Sequence, residues 1–156
     1  MADLFSKPTI QNSTLCEIEI VYKPKIKASE RAKVVTSSDA EIVLRKAFPS
    51  LEHREFFYAL YLNRNNCVLG YCQISAGGFT GTIMDQRLIF QTALKCCACS
   101  VIVAHNHPSG NLTPSEADKD ITKKIKDSGK VLDIPILDHL ILTEESYFSF
   151  ADQGLM

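Results

Sequence analysis

The run CSVIVAH, residues 99–105, most constrains what this chain can fold into. It is short, carries no charge before its histidine, and is rich in valine and isoleucine. Such a run reads as a strand covered on both faces, which requires other elements packed above and below it. The flanking sequence supplies them. DQRLIFQTALKCC, residues 85–97, puts Ile89, Ala93 and Cys97 in one row with Phe90 and Leu94 beside it, a helix with a broad buried face. Downstream, Ala117, Ile121, Ile125 and Ser128 form the inner row of another helix, with Gly129 as its stop.

The remaining elements complete an alternating order. CEIEIVY, residues 16–22, alternates as a half-buried strand and is stopped by Pro24. Residues 25–36 lack periodicity and read as an arm or loop. SSDAEIVLRKAF predicts a helix over about residues 39–48, with Ile42, Val43 and Ala47 on one face and Pro49 ending it. Two apolar runs around Arg64-Asn65-Asn66 predict an antiparallel hairpin. ILDHLILT reads as another buried strand, and SYFSFADQG as a last short one. The expected fold is α/β: a single layered domain whose mixed β-sheet is flanked by helices. Residues 1–34 form an arm whose first strand packs on the core, and residues 35–156 form the main domain.

Composition sets the class. The 156 residues suit one domain, and 46% hydrophobic with 22% charged residues is ordinary globular usage. The net charge of −1 gives no overall basic footprint for nucleic acid, although Lys23, Lys25, Lys27, Arg31 and Lys33 cluster early. MADLFSKPTI has no apolar core, so no signal peptide is expected, nor a membrane span; a cytoplasmic chain with reduced thiols follows. Cys96 and Cys99 form a C-x-x-C, but no second pair accompanies it, so they read as buried small hydrophobes rather than a zinc clip.

The chemistry gathers in AHNHPSGNLTPSEAD, residues 104–118. His105 and His107 are two residues apart at a strand end, so both side chains point to the same side. Pro108 and Gly110 favour a turn that brings the chain back. Asp118 falls only about 20° beyond Ile125 on the helical wheel, at the border of the buried row. Two nitrogens and a carboxylate leave a fourth position open, as catalytic zinc sites do. The plainer reading stays open here: histidines bonded to backbone and an aspartate favouring a helix N-terminus. Glu52 and Glu55 are the upstream candidates for a base. Glu55 is preferred because a strand holds a carboxylate more firmly. It is also compatible with an edge charge beside Arg54. Thr113-Pro114-Ser115-Glu116 predicts a capping box with Thr113 as N-cap, which would put Ser115 at the second helical position with a free hydroxyl.

Taken together, H-x-H, seven residues, S, two residues, D, with a glutamate on an earlier strand, resembles the JAMM motif of the MPN/JAB metalloprotease superfamily. The match falls on Glu55, His105, His107, Ser115 and Asp118. AHNHPSGNLTPSEAD, GTIMDQRLIFQTAL, ILDHLILT and SFADQGL resemble the RadC-like branch over about residues 35–156. The resemblance implies the JAB/MPN, cytidine-deaminase-like architecture. It implies one Zn2+ per chain on His105, His107 and Asp118, with water as the fourth ligand. Glu55 would be the general base and Ser115 the hydrogen-bond donor to the oxyanion. Asp138 and His139 match the branch's L-D-H segment, which implies a supporting rather than a ligand role for His139.

A zinc-dependent amide hydrolase acting on an unidentified peptide or isopeptide is the function so implied. Two alternatives accompany it. One is a DNA-repair-associated RadC-like accessory protein; the other is a non-catalytic MPN interaction module. The 34 residues ahead of the resemblance are expected to be too few for the helix-hairpin-helix region of longer RadC-like proteins, which weighs against the DNA role. Modules of the last kind usually lack the ligand set, which this chain keeps. No membrane partner is expected.

Overall fold

The computed structural model of the chain describes residues 22, 25–77 and 84–156. The expected strand over residues 16–22 lies outside them apart from Tyr22, whose hydroxyl donates to the Leu69 carbonyl at 2.9 Å. In the arm, residues Ala28–Glu30 form a single 3-10 turn, and Lys33 bridges Cys67 at the hairpin.

Five strands form one mixed sheet: β1 (Phe56–Leu62), β2 (Val68–Ala76), β3 (Ser100–Asn106), β4 (Ile136–Leu142) and β5 (Tyr147–Ser149). Their spatial order is β2-β1-β3-β4-β5. The β3–β4 pair is parallel and the others are antiparallel. Every residue of β3 is buried, as its unbroken apolar run requires. Three helices cover the sheet: α1 (Ser37–Arg45), α2 (Gln86–Lys95) and α3 (Glu116–Val131).

Two apolar clusters show which layer lies where. Ile89, Phe90, Ala93 and Ile125 of α2 and α3 pack with Ala59, Tyr61, Val101 and Val103 on one face of the sheet. Ala40 and Leu44 of α1 pack with Tyr58, Leu60, Ile102 and Leu140 on the other. The α/β sandwich with a mixed sheet therefore holds as expected.

Several local expectations are corrected. Helix α1 is capped by Thr36, whose hydroxyl accepts from the Asp39 amide while the Asp39 carboxylate accepts from the Thr36 amide. Ala40 and Leu44 are the fully buried row, Val43 and Ala47 of the expected face pack partly buried beside them, and Ile42 is half exposed. Helix α2 stops at Lys95, and Cys97 takes a left-handed conformation (φ 54°). Leu94, Cys97 and Cys99 are consequently exposed, while Cys96 is buried. On α3, Ala117 is exposed and Thr122 occupies the inner row instead.

Gly129 does not stop α3, which runs on to Val131. It is buried, and a Cβ there would lie 2.5 Å from the Ile134 carbonyl oxygen. The glycine thus lets the chain leaving the helix fold back against it. Gly129→Ala should lower stability by about 1–3 kcal/mol through overpacking, although in an open helix the same change gains about 1 kcal/mol. Urea denaturation measures the sign directly.

Candidate metal centre

The β1–β3 register brings together residues far apart in sequence. Phe57 lies opposite His105 and Tyr58 opposite Ala104, where the pairing begins, and Glu55, two residues before Phe57, lies near enough to His107 for its charge to act on that ring. Glu55 directly precedes β1, is half-buried, and its carbonyl accepts from the Gly77 amide at 2.8 Å. The parallel β3–β4 pair sets Val103 beside His139, one step behind His105. His105, His107 and His139 thus share the sheet face covered by α3, with His105 and His107 at the carboxyl end of β3, where open α/β sheets hold ligands, and His139 midway along β4.

The turn after β3 completes the arrangement. His107 Nδ1 lies 2.6 Å from the Asn111 carbonyl, and the Gly110 amide donates to the His107 carbonyl at 3.0 Å. Gly110 has φ +77°, a left-handed conformation that glycine adopts without strain. The chain then enters α3 through Ser115, which is the N-cap. This corrects the expectation of Thr113 as cap. The Thr113 amide is taken by the Asn111 side chain at 2.9 Å, and Glu116 pairs with Lys119. Asp118 instead completes the box, its Oδ2 accepting from the Ser115 amide at 2.7 Å. The Ser115 hydroxyl accepts from the Asp118 amide (3.1 Å) and donates to Asp118 Oδ2 (2.6 Å). It is not left free, as a place one turn position later would have left it.

His105 Nε2 and His107 Nε2 are 2.9 Å apart. Asp118 Oδ1 is 3.2 Å from the first, and Oδ2 is 3.6 Å from the second. Two ligands of a tetrahedral zinc would be about 3.3 Å apart. The three side chains are mostly buried, and the set is the one candidate metal-holding cluster among the described residues. Two imidazole nitrogens and a carboxylate this close need a hydrogen or a cation between them. At this spacing the two nitrogens and one carboxylate oxygen are a donor set that fits zinc.

The electrostatics agree. Burial alone would push the Asp118 carboxyl up; hydrogen bonds from His105 and His107 outweigh it and hold the group well below the usual carboxylate range. The bond to Asp118 raises His107 against the effect of burial, with the Asn111 carbonyl and the nearby Glu55 charge adding to the rise.

Two residues of the site were not anticipated from sequence. Asn106, fully buried between the two histidines, donates to the Leu51 and Arg54 carbonyls at 2.9 Å and accepts from the Phe56 amide at 2.7 Å. It therefore holds the backbone on both sides of Glu55. The available signal was an amide side chain closing an otherwise apolar strand. Thr122, one turn after Asp118, is the other; its hydroxyl lies 2.6 Å from His139 Nδ1. His139 itself is enclosed, and burial pushes it well below the ordinary histidine range. Its neighbour Asp138, pushed up by burial, accepts from the Ser149 hydroxyl and the Ala151 amide, tying the chain after β5 to β4.

A match to the model of the RadC-like JAB domain family covers residues 34–155. The chain is 50% identical over 123 residues to a UPF0758 protein of Flavobacterium johnsoniae, covering 79% of this chain and 53% of that protein. A UPF0758 protein of Chlorobaculum parvum is 40% identical over 105 residues, 67% of this chain and 47% of its own length. One from Rubrobacter xylanophilus is 32% identical over 143 residues, 91% of this chain and 62% of its own length. The chain thus spans less than two thirds of each of these relatives.

Two outcomes follow. In the metal-free protein the raised His107 contributes stability below its unfolded pKa of about 6.5, lost as pH rises through the folded value. The lowered Asp118 contributes stability above about pH 3.9, lost as pH falls through its folded value. Enclosed His139, held well below the ordinary range, costs stability as pH falls below about 6.5, so metal-free protein should be most stable near that pH, and Asp118→Asn should remove the His107 contribution to the alkaline limb in urea midpoints measured against pH. Separately, Asn106→Ala should cost about 2–4 kcal/mol by the same assay, because it orphans three backbone groups.

Proposed function

We propose that this chain, which belongs to the RadC-like JAB domain family, is a zinc-dependent amide hydrolase of the peptidase or isopeptidase type. The observation that carries the reading is the convergence of His105, His107 and Asp118, with the Glu55 charge close enough to act on His107. His105, His107 and Asp118 would hold the ion. When bound, zinc supplies Lewis-acid polarisation and lowers the pKa of water towards about 7.

The protein's own groups do the rest. Glu55, fixed at the start of β1, takes the proton of the attacking water and passes it to the leaving amine, a role worth about 10²–10⁴-fold. Ser115 donates to the oxyanion once its hydroxyl hydrogen turns away from Asp118 Oδ2, a rotation about one bond. Until then the same hydroxyl holds the carboxylate in place. Asn106 keeps Glu55 in register with the histidines.

The test combines metal analysis with hydrolysis of peptide and isopeptide libraries by zinc-replete protein. One equivalent of zinc is expected. Glu55→Gln should retain it and lower kcat by about 10²–10⁴, whereas His107→Ala should lose the metal. Wild type without stoichiometric zinc contradicts the reading, as does undiminished turnover in Glu55→Gln. Stoichiometric zinc with no turnover on any substrate favours a non-catalytic module.

A second reading, association with DNA, has support in exposed cations. Lys25, Lys27 and Lys33 lie in the arm, and Lys119, Lys123 and Lys130 lie along the outer side of α3. Fluorescence anisotropy with labelled DNA should then show binding that weakens steeply with salt as counterions are released. No binding at low salt would contradict it.

A further inference from the structure

Behind His105 lies a set of polar contacts closed off from solvent. His139 is fully buried, its ring stacked on Phe150 with centroids 4.8 Å apart and tilted against Phe57. His105 Nδ1 lies 2.8 Å from His139 Nε2, and His139 Nδ1 lies 2.6 Å from Thr122 Oγ1. The Thr122 hydroxyl in turn donates to the Asp118 carbonyl at 2.6 Å.

Donor accounting gives these contacts a direction. A carbonyl oxygen only accepts, and a hydroxyl has one hydrogen to give. Because Thr122 gives its hydrogen to Asp118, its oxygen must accept from His139 Nδ1–H. A neutral imidazole carries one hydrogen, so His139 Nε2 presents a lone pair. His105 must then donate from Nδ1, so when that ring is neutral its Nε2 is a lone pair facing His107 and Asp118. The reverse direction would place the hydrogen of His139 on Nε2, force His105 to accept at Nδ1, and aim the Nε2–H of His105 into the centre.

We propose that Thr122 and His139 are positioning residues that fix the tautomer of His105, so that its Nε2 lone pair faces the centre formed with His107 and Asp118. The direction originates at the main-chain carbonyl of Asp118, the residue whose carboxylate faces the same point. Backbone and side chain of one residue therefore set both the orientation and the charge of the site. On the other side, His107 Nδ1 lies against the Asn111 carbonyl, which can only accept, so His107 Nε2 also faces inward as a lone pair when that ring is neutral. Buried partners of this kind orient ligand imidazoles and raise their basicity.

The proposal rests on the metal-centre reading, but its direction can be read without metal. Long-range 1H–15N correlation spectra of metal-free and zinc-loaded protein should show the His139 hydrogen on Nδ1 in both. Thr122→Val, close to isosteric, removes the acceptor; the His139 Nδ1 and Nε2 shifts should then move towards each other as the tautomers mix. Zinc affinity, measured by chelator competition, should fall by about 10–100-fold in Thr122→Val and return in Thr122→Ser. A His139 hydrogen found on Nε2 overturns the proposal. So does wild-type zinc affinity in a folded Thr122→Val protein. A wild type that shows the Nδ1 hydrogen yet binds no zinc supports the direction of the contacts while contradicting the metal-centre reading.

Discussion

The antiparallel pairing of β1 with β3 is the constraint on which the rest depends. It sets Phe57 opposite His105, and with it brings Glu55, just ahead of β1, near His107. Because side chains alternate along a strand, a slip of one residue would turn either the histidines or Phe57 to the α1 face. The apolar alternation on both strands resists such a slip: Val101 and Val103 pack towards α2 and α3, while Ile102 and Ala104 pack towards α1. Asn106 adds a polar lock at the same end through three bonds to backbone on either side of Glu55. Core packing and site geometry are therefore one specification.

The second organising element is the entry to α3. Ser115 and Asp118 form a reciprocal cap whose carboxylate also faces two histidines. A capping carboxylate is ordinarily solvated and worth about 1 kcal/mol. Here it is mostly buried and carries negative charge into the space between two imidazoles. Helix capping and the charge of the centre consequently cannot be varied independently, and the Thr122–His139 contacts extend this coupling to the His105 ring.

Much of this was legible in the sequence because it follows from periodicity. The uninterrupted run of β3, the hairpin and the H-x-H alternation each depend on the period-two pattern, and Asp118 depends on the helical one. What was not legible turns on competition between equivalent local signals. Thr113 and Ser115 are both good caps, and the choice is made by Asn111, whose side chain takes the Thr113 amide. In α1 the fully buried row is Ala40 and Leu44 with Val43 and Ala47 at its border, so the apolar Ile42 at the far side of that border is left half exposed. Gly129 looked like a stop but is a point of close approach, decided by a carbonyl five residues later. The roles of Asn106 and Thr122 arise from partners distant in sequence, which no local pattern encodes.

The most direct measurement is anomalous scattering at the zinc edge from crystals of zinc-replete protein. The account predicts one strong peak per chain, bounded by His105 Nε2, His107 Nε2 and Asp118. No peak there, or a peak held by other residues with these three bonded only to one another, would contradict it.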